Sequence, residues 1–287
     1  MKTRILSGLI MLPLLIIVIL NGWVLYAGCF VISIMAAYEF FRGFRHMDIK
    51  PCYPIALCSI AALYILGMLR RLAVTAGGAV QPCIAVFGSE QWILLWIFAT
   101  VLACLLYLFS IEKRKPEDAM VTLTGIFYVG FFCYTIGELA LSEMNIFVWL
   151  VIITAFGTDI CAYFAGVTMG KHKLCPKISP KKTWEGAIGG VLGSVILSGV
   201  FGLFFAKAFL PYCLIIGFIA SIASMFGDLT ASIFKRKMGI KDYGNLIPGH
   251  GGILDRFDSV LFTGPVIYFY VAIVADAAFS EGCVTVF

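Results

Sequence analysis

Charged residues are scarce in this sequence: only 13% of its 287 residues are Asp, Glu, Lys or Arg, whereas 61% are hydrophobic. The mean hydropathy of +1.00 lies far outside the range of soluble domains. The chain also lacks a long polar segment that could fold separately in water, a low-complexity tract and a solenoid repeat. These absences predict a single all-α polytopic membrane domain over residues 1–287.

Motifs that pair cysteines or bind nucleotides through a P-loop are also missing. The ten cysteines include no CxxC pair, and most lie in apolar runs, where cysteine behaves as a small hydrophobe. Neither a disulfide framework nor a zinc site is predicted. The net charge of +5 falls mostly in predicted cytoplasmic loops near anionic lipid, so it does not indicate a nucleic-acid partner.

Nine apolar runs are long enough to approach or cross a hydrocarbon core about 30 Å thick. Only Asn21 and Gly22 separate the first two runs, but one helix over both would be about 55 Å long at about 1.5 Å per residue, so a tight hairpin is predicted. We divide the chain into N-terminal helices, 1–145, and C-terminal helices that carry the catalytic loops, 146–287. The predicted helices are Ile5–Leu20, Trp23–Phe41, Ile55–Leu69, Trp92–Ile111, Met120–Leu141, Ile146–Ala165, Ala187–Phe209, Cys213–Phe234 and Val260–Phe279.

Lysine and arginine are distributed unevenly among the predicted loops. If the N-terminus is cytoplasmic, 18 of the 21 basic residues are cytoplasmic, and only Arg70, Arg71 and Lys207 lie outside. This asymmetry is the one that the positive-inside rule describes. It predicts a cytoplasmic N-terminus and, with nine helices, a C-terminus outside. We expect the first apolar run to be retained rather than cleaved, and the compact N-terminus favours a bacterial inner membrane.

Acidic residues inside the predicted spans are costly in hydrocarbon and usually face a cavity or a partner. For Asp276, near an outer helix end, a packing or interfacial role is favoured. For Glu39 and Glu138 a packing contact and a functional role are equally consistent. Asp159 and Asp228 differ, because both are predicted near the cytoplasmic ends of their helices.

The eighth predicted helix carries a polar stripe, because four polar residues on it are spaced four apart. Gly227, beside Asp228, would let a backbone or ligand approach closely. Asp159 offers a similar polar face on the sixth helix. The stripe consists of Ser224, Asp228, Ser232 and Arg236. It predicts a surface that is in contact with water.

The predicted cytoplasmic loop Gly170–Gly186 contains five lysines and one acid. A solvated or lipid-attracted charge run is the usual explanation of such a loop. However, Ser179 and Pro180 are typical of a helix N-cap followed by proline at the first helical position. Such a helix end would aim free amide groups at the same place as Lys181 and Lys182, an arrangement that suits phosphate.

Glycines, basic residues and carboxylates are concentrated in the connection Ser232–Ser259. The glycine-rich run 248–252 would let the backbone approach a ligand. Mutual neutralisation of the charges would leave these glycines and the intramembrane Asp228 without a role. A divalent cation held by Asp228 and Asp255 beside a polyphosphate accounts for all of them, because Mg²⁺ prefers carboxylate and phosphate oxygens.

Many positions of this connection follow a fixed pattern over 27 residues. The pattern reads Ser232-x-x-Lys235-Arg236, Lys241-Asp242-x-Gly244 and Ile247-Pro248-x-His250-Gly251-Gly252-Ile253-x-Asp255-Arg256-Phe257-Asp258. It resembles the signature of the phosphatidate cytidylyltransferases, also called CDP-diacylglycerol synthases. The resemblance extends from about Phe156 to the end of the chain, and it includes the segments Asp159–Phe164 and Ser179–Gly186. The first half is similar only in length and apolar character.

The resemblance implies transfer of CMP from CTP to phosphatidic acid, which gives CDP-diacylglycerol and pyrophosphate at the cytoplasmic face. A phosphate oxygen of the lipid would attack the α-phosphorus of CTP, so no protein nucleophile is required. The resemblance also implies Mg²⁺ as cofactor, with Asp228 and Asp255 as its ligands, and it is compatible with a second cation and a homodimer.

The same resemblance implies roles for the other polar residues. The basic residues would bind the triphosphate or the lipid phosphate, and the resemblance does not assign each of them to one of the two. His250 would either donate to the leaving pyrophosphate or shape the glycine loop. Asp258 would orient Arg256 or bind metal. The predicted catalytic residues are Asp228, Asp255, Lys235, Arg236, His250 and Arg256, and the predicted substrate-binding residues are Ser179, Lys181, Lys182, Ser232, Lys241, Gly251 and Gly252.

Three other classes of protein compete with this interpretation. A CTP-dependent lipid kinase is the nearest enzyme, and its products distinguish it. CDP-alcohol phosphotransferases use a differently spaced motif with Asp-Gly and Ala-Arg, which the sequence lacks. A secondary transporter would also carry intramembrane carboxylates, but here the charges gather at one face and no repeat is visible.

Overall fold

The computed structural model describes residues 16–75, 91–110, 112, 114–246 and 251–280. Within these ranges the chain forms eight long helices and one β-hairpin, and residues 16–20 are helical as well. The hairpin strands are β1, Lys173–Cys175, and β2, Ser179–Thr183. The helices are α1 Gly22–Phe44, α2 Tyr53–Thr75, α3 Gln91–Tyr107, α4 Pro116–Ala140 with a π-helical segment Ile126–Phe131, α5 Val148–Met169, α6 Trp184–Phe205, α7 Leu210–Met238 and α8 Leu254–Ser280.

Six of these helices, namely α1, α2, α4, α5, α6 and α7, are long and apolar enough to cross a membrane. Helix α3 is apolar but has only 17 residues. The predicted all-α membrane fold is therefore confirmed at this level. The number of nine spans and the orientation stay predictions, and the first predicted helix, Ile5–Leu20, lies outside the described residues except for its last five.

The eight other predicted helices each correspond to one observed helix, but several ends differ. Helix α4 begins at Pro116 rather than Met120, because the Asp118 carboxylate accepts the Lys115 N–H at 3.0 Å and stabilises its first turn. Helix α7 continues past Phe234 and ends where Gly239 takes a positive φ. The predicted division at residue 145 falls at the short turn between α4 and α5, and its role as a boundary stays a prediction.

Small residues let α6 pack closely between α5 and α7. Gly190 lies against Ala162 and Thr158 of α5, where a side chain at position 190 would come within about 3.0 Å of both. The Ser194 hydroxyl donates to the Gly217 carbonyl of α7 at 3.1 Å. Close backbone approach and interhelical hydrogen bonds are the main sources of helix association in a bilayer. They position α5 and α7, which carry the candidate site.

An aromatic cluster brings the C-terminal end of α1 to the C-terminal end of α7. The Phe234 ring lies 5.4 Å from Phe40 and 5.8 Å from Phe44, centroid to centroid. Gly43 lies against the side chain of Met238, which is the last residue of α7. The loops that follow α1 and α7 therefore lie at the same end of the helix bundle.

The structure corrects the prediction for Ser179 and Pro180, which lie in a β-strand and not at a helix N-terminus. Strand β2 pairs antiparallel with β1, with Cys175 opposite Ser179. Helix α6 begins only at Trp184, and the hydroxyl of Thr183 accepts the Gly186 N–H at 3.1 Å as its N-cap. Proline is tolerated at the start of an edge strand, and threonine suits both a strand and an N-cap, so the cap falls four residues later than predicted.

Candidate active site

A cavity of about 500 Å³ lies between α5, α7 and the β-hairpin. Asp159 of α5 and Asp228 of α7 line one part of it, and the hairpin contributes basic and hydroxyl groups opposite. The structure thus brings together residues from three segments that the sequence separates by up to 70 positions. The polar lining consists of Asp159, Asp228, Lys173, Ser179, Lys181, Lys182 and Thr183, with Tyr163 at the margin.

Lys182 and Asp228 form an ion pair across the cavity, with Nζ 2.5 Å from Oδ2. Both side chains remain about one quarter exposed, at 25% and 27%. One helical turn further along α7, the Ser232 hydroxyl lies 3.4 Å from Asp228 Oδ1. Because both side chains are partly exposed, Lys182 can leave Asp228 and bind an anionic ligand, and Asp228 can bind a cation. Both groups are therefore available to substrate.

Three carboxylates from three helices influence one another electrostatically beside this ion pair. Asp159, Asp228 and Asp258 lie close enough to repel one another. Hydrogen bonds hold two of them in place: the Ser259 hydroxyl donates to Asp159 Oδ2 at 3.1 Å, and the Ser259 N–H donates to Asp258 Oδ1 at 2.8 Å. Such a concentration of negative charge favours binding of a cation.

Asp255 is engaged by the protein on both carboxylate oxygens. Oδ1 accepts from the ammonium of Lys235 at 2.8 Å, and Oδ2 accepts the N–H groups of Tyr243 at 2.8 Å and Gly252 at 2.9 Å. Its side chain is only 4% exposed. Gly251 has a φ of 86°, and a side chain there would come within 2.8 Å of Asp255 Oδ2. Asp255 therefore organises the loop that leads into α8.

Asp228 and Asp255 thus occupy different settings, although we predicted both as ligands of one cation. Asp228 lines the cavity, whereas Asp255 does not. Within the described ranges, no three His, Cys, Asp or Glu side chains form a cluster that could hold a metal ion by themselves. A shared cation held by these two carboxylates stays a prediction.

Glu39 of α1 caps the N-terminus of α8, a contact between residues more than 200 positions apart. Its Oε1 accepts the Ile253 N–H at 3.1 Å, and its Oε2 accepts the Leu254 N–H at 2.9 Å. These two N–H groups lie at the positive end of the helix that carries Asp255 and Asp258, where the helix itself offers them no acceptor. The N-terminal half of the chain therefore supports the site directly. In the sequence, the only sign of this role was that Glu39 is an ionisable residue within a predicted span.

Tyr243 supports the same loop from the segment after α7. Burial raises the pKa of its phenol well above the usual range, so the group stays protonated. The hydroxyl donates to the Ala231 carbonyl at 3.2 Å, and the Lys235 ammonium lies 5.4 Å from the ring centroid. Lys235 is therefore held between the Tyr243 ring and Asp255. Sequence patterns gave no signal for this role of Tyr243.

Three of the remaining predicted site residues, Arg236, Lys241 and Arg256, lie within the described part of the chain. Arg236 donates from Nε to the Ile178 carbonyl at 3.3 Å and links α7 to the hairpin. Lys241 is exposed on the loop after α7, and Arg256 is half-buried in the first turn of α8. His250 lies outside the described residues, together with positions 247–249.

Sequence comparisons match the chain over nearly its full length. The profile of the Cytidylyltransferase family matches residues 2–274. A phosphatidate cytidylyltransferase of Bacillus subtilis is 32% identical over 277 residues, which cover 95% of this chain and 98% of that protein. One from Synechocystis is 32% identical, covering 94% and 96%. The chloroplastic phosphatidate cytidylyltransferase 4 of Arabidopsis thaliana is 31% identical, covering 94% and 73%.

Proposed function

The chain belongs to the cytidylyltransferase family, and from that premise we propose that it is a CTP:phosphatidate cytidylyltransferase. It transfers CMP from CTP to phosphatidic acid and releases pyrophosphate, which yields CDP-diacylglycerol for phospholipid biosynthesis. The observation that carries this proposal is the cavity in which Lys182 faces Asp228 and whose lining includes the exposed side chains of Tyr163 and Val167.

The cavity combines a charged wall with an apolar margin, and the substrates need both. Lys181 and Lys182 would bind phosphate oxygens as charge-assisted donors. On the α5 side, Tyr163 and Val167 are 66% and 68% exposed and also line the cavity. Large apolar side chains exposed on a membrane helix face acyl chains. A lipid phosphate can therefore reach the lysines while its chains stay in the bilayer.

The chain's own groups would align the two phosphates rather than form a covalent intermediate. The phosphate oxygen of phosphatidic acid attacks the α-phosphorus of CTP, and the bond from that phosphorus to the leaving pyrophosphate breaks. Lys181 and Lys182 would hold the triphosphate and offset its charge as the pyrophosphate leaves. When Lys182 turns from Asp228 to the phosphates, the Asp228 carboxylate would be able to hold a cation. Positioning and charge compensation account for catalysis without a protein nucleophile.

The donor set fits Mg²⁺, which when bound would neutralise phosphate oxygens. This ion commonly takes only one or two protein carboxylates and completes its shell with phosphates and water, so three clustered acidic ligands are not required. Asp228 is the carboxylate that faces the cavity, with Asp159 and Asp258 beside it. Asp255 would have to exchange its contact with Lys235 to hold the cation directly. A second cation and a homodimer belong to the proposal on the family resemblance alone.

The active site faces the cytoplasm of a bacterial cell in this proposal, with nine spans and an N-terminus on the same side. The charge distribution supports it: 18 of the 21 basic residues fall in loops assigned to that side. The cavity with Lys173, Lys181 and Lys182 belongs to this set of loops. The bacterial inner membrane is the corresponding location.

Product analysis with two labels tests the reaction class. We expect purified protein in detergent, given phosphatidic acid and Mg²⁺, to move label from the α-phosphate of CTP into lipid and label from the γ-phosphate into pyrophosphate. Diacylglycerol in place of phosphatidic acid serves as the matched control and should give no lipid product. If the γ-label enters a lipid alcohol and CDP accumulates, the protein is a lipid kinase. No turnover in detergent would point to a transporter.

A further inference from the structure

A second cavity, of about 510 Å³, lies in the other half of the chain. It is formed by the loop between α1 and α2, the end of α3 and the segment before α4. It shares no lining residue with the candidate active site. Its charged and aromatic lining consists of Arg45, Asp48, Lys50, Tyr53, Tyr107 and Arg114.

Hydrogen bonds fix the walls of this second cavity. Asp118, which is only 2% exposed, accepts the Lys50 N–H at 2.7 Å and the Lys115 N–H at 3.0 Å. The Tyr107 hydroxyl donates to the Lys50 carbonyl at 3.2 Å. One buried carboxylate therefore ties the loop after α1 to the start of α4, and the cavity is formed in advance of any ligand.

The charge of the second cavity is positive overall, because three cations and one acid line it. Its single acid, Asp48, pairs with Lys115 outside the cavity at 3.2 Å, and the hydrogen bond from Lys115 lowers the pKa of this exposed carboxyl. Among the described residues, no ion pair is formed by the three lining cations, which are Arg45, Lys50 and Arg114. The Arg114 guanidinium instead lies 4.4 Å from the centroid of the Tyr107 ring, which holds it in the lining.

Exposed apolar side chains beside the second cavity indicate its ligand. Leu106 at the end of α3 and Phe109 just after this helix are 57% and 79% exposed, and they lie on either side of the lining residue Tyr107 in the sequence. Apolar side chains so exposed on a membrane protein face lipid tails, whereas tyrosines are enriched at head-group level. Three cations beside such side chains would lie near the phosphates of the bilayer rather than in its hydrocarbon.

We propose that the second cavity binds the phosphate head group of an anionic membrane lipid, at a site separate from the catalytic cavity. Two guanidinium groups can each donate two hydrogen bonds to phosphate oxygens, and the lysine adds a third cation. The apolar side chains at the end of α3 would receive the acyl chains. The proposal does not depend on the reaction that the protein catalyses.

Native mass spectrometry of the purified full-length protein tests this site, with phosphatidylglycerol as the probe and phosphatidylcholine as the neutral comparison. We expect wild-type protein to retain phosphatidylglycerol in preference. The double variant Arg45→Gln/Arg114→Gln should bind it about tenfold more weakly, since each basic group near a membrane surface contributes appreciably to anionic-lipid binding. If that variant does not fold, Arg45→Gln alone, on an exposed side chain, should show a smaller loss in the same direction.

Two control variants each remove one positive charge at another place, as Arg45→Gln does. Arg42→Gln, in the last turn of α1 and outside the cavity, should keep wild-type binding, as should Lys177→Gln in the turn of the β-hairpin. Equal binding by wild type and the double variant would overturn the proposal. So would loss of the lipid in Lys182→Gln together with its retention in the double variant, which would place it in the catalytic cavity. Displacement of phosphatidylglycerol by inorganic phosphate would identify a free-phosphate site instead.

Discussion

The variant Asp228→Asn is expected to remain folded and to lose turnover by roughly a hundredfold, the usual scale for removing one charge that stabilises a transition state. Asparagine keeps the shape of the side chain but not the charge that would hold Mg²⁺ beside the phosphates. Lys182, which pairs with Asp228, is one quarter exposed and can turn to water, so the fold should tolerate the change. Thermal melts and elution profiles establish that the variant is folded.

A magnesium titration at saturating CTP and phosphatidic acid then separates metal binding from other roles. Asp228→Asn should need more Mg²⁺ than wild type and should stay slow even at saturation. A folded variant with near wild-type rate and unchanged Mg²⁺ dependence would refute the assignment of Asp228 as a ligand.

The matched variant Asp255→Asn distinguishes a shared ligand from a loop organiser. If both carboxylates hold one cation, the two losses should be strongly non-additive, because removing either ligand already disables the same ion. The contacts of Asp255 with Lys235, Tyr243 and Gly252 favour a different outcome. In that case Asp255→Asn would lower the rate with wild-type Mg²⁺ dependence and would lower thermal stability.

The second large effect is expected for Lys182→Gln, which should reduce kcat/KM for CTP by roughly tenfold to a hundredfold. This range corresponds to the loss of one hydrogen bond to a charged group, about 1.5–3 kcal/mol. Glutamine retains a donor but no charge, and it leaves Asp228 without its cation. Steady-state rates at varied CTP, with phosphatidic acid saturating, provide the measurement.

Lys177→Gln is the matched control for this variant. Lys177 lies between the two strands of the same hairpin, is exposed, and does not line the cavity. The substitution Lys177→Gln removes one positive charge from the same hairpin, as Lys182→Gln does. Any general effect of surface charge on CTP or lipid binding therefore appears in both variants. Equal losses in Lys177→Gln and Lys182→Gln would mean that the hairpin acts only as a charged surface.

Local sequence patterns were sufficient for the features that depend on nearby residues. Apolar runs located the helices because a bilayer requires continuous apolar segments whose backbone is satisfied internally. Spacing by four placed Asp228 and Ser232 on one face of α7, and the structure shows them in contact along that face. Apolar length and periodicity therefore predicted most of the fold and one wall of the site.

Features that depend on distant contacts could not be predicted in the same way. Ser179 and Pro180 match a helix N-cap by themselves, but pairing with β1 makes them a strand. Glu39 caps α8 only because α1 packs against it in three dimensions. The contacts of Asp255 likewise come from three separate segments, so its signature position could not reveal whether it faces ligand or protein.

The most direct test of the central claim is an experimental structure of the protein with CTP and Mg²⁺. We predict the triphosphate in the cavity between α5, α7 and the hairpin, with Lys182 moved from Asp228 to phosphate oxygens and the cation beside Asp228. Nucleotide bound elsewhere, for example in the second cavity beside Arg45 and Arg114, with the ion pair of Lys182 and Asp228 still intact, would contradict it.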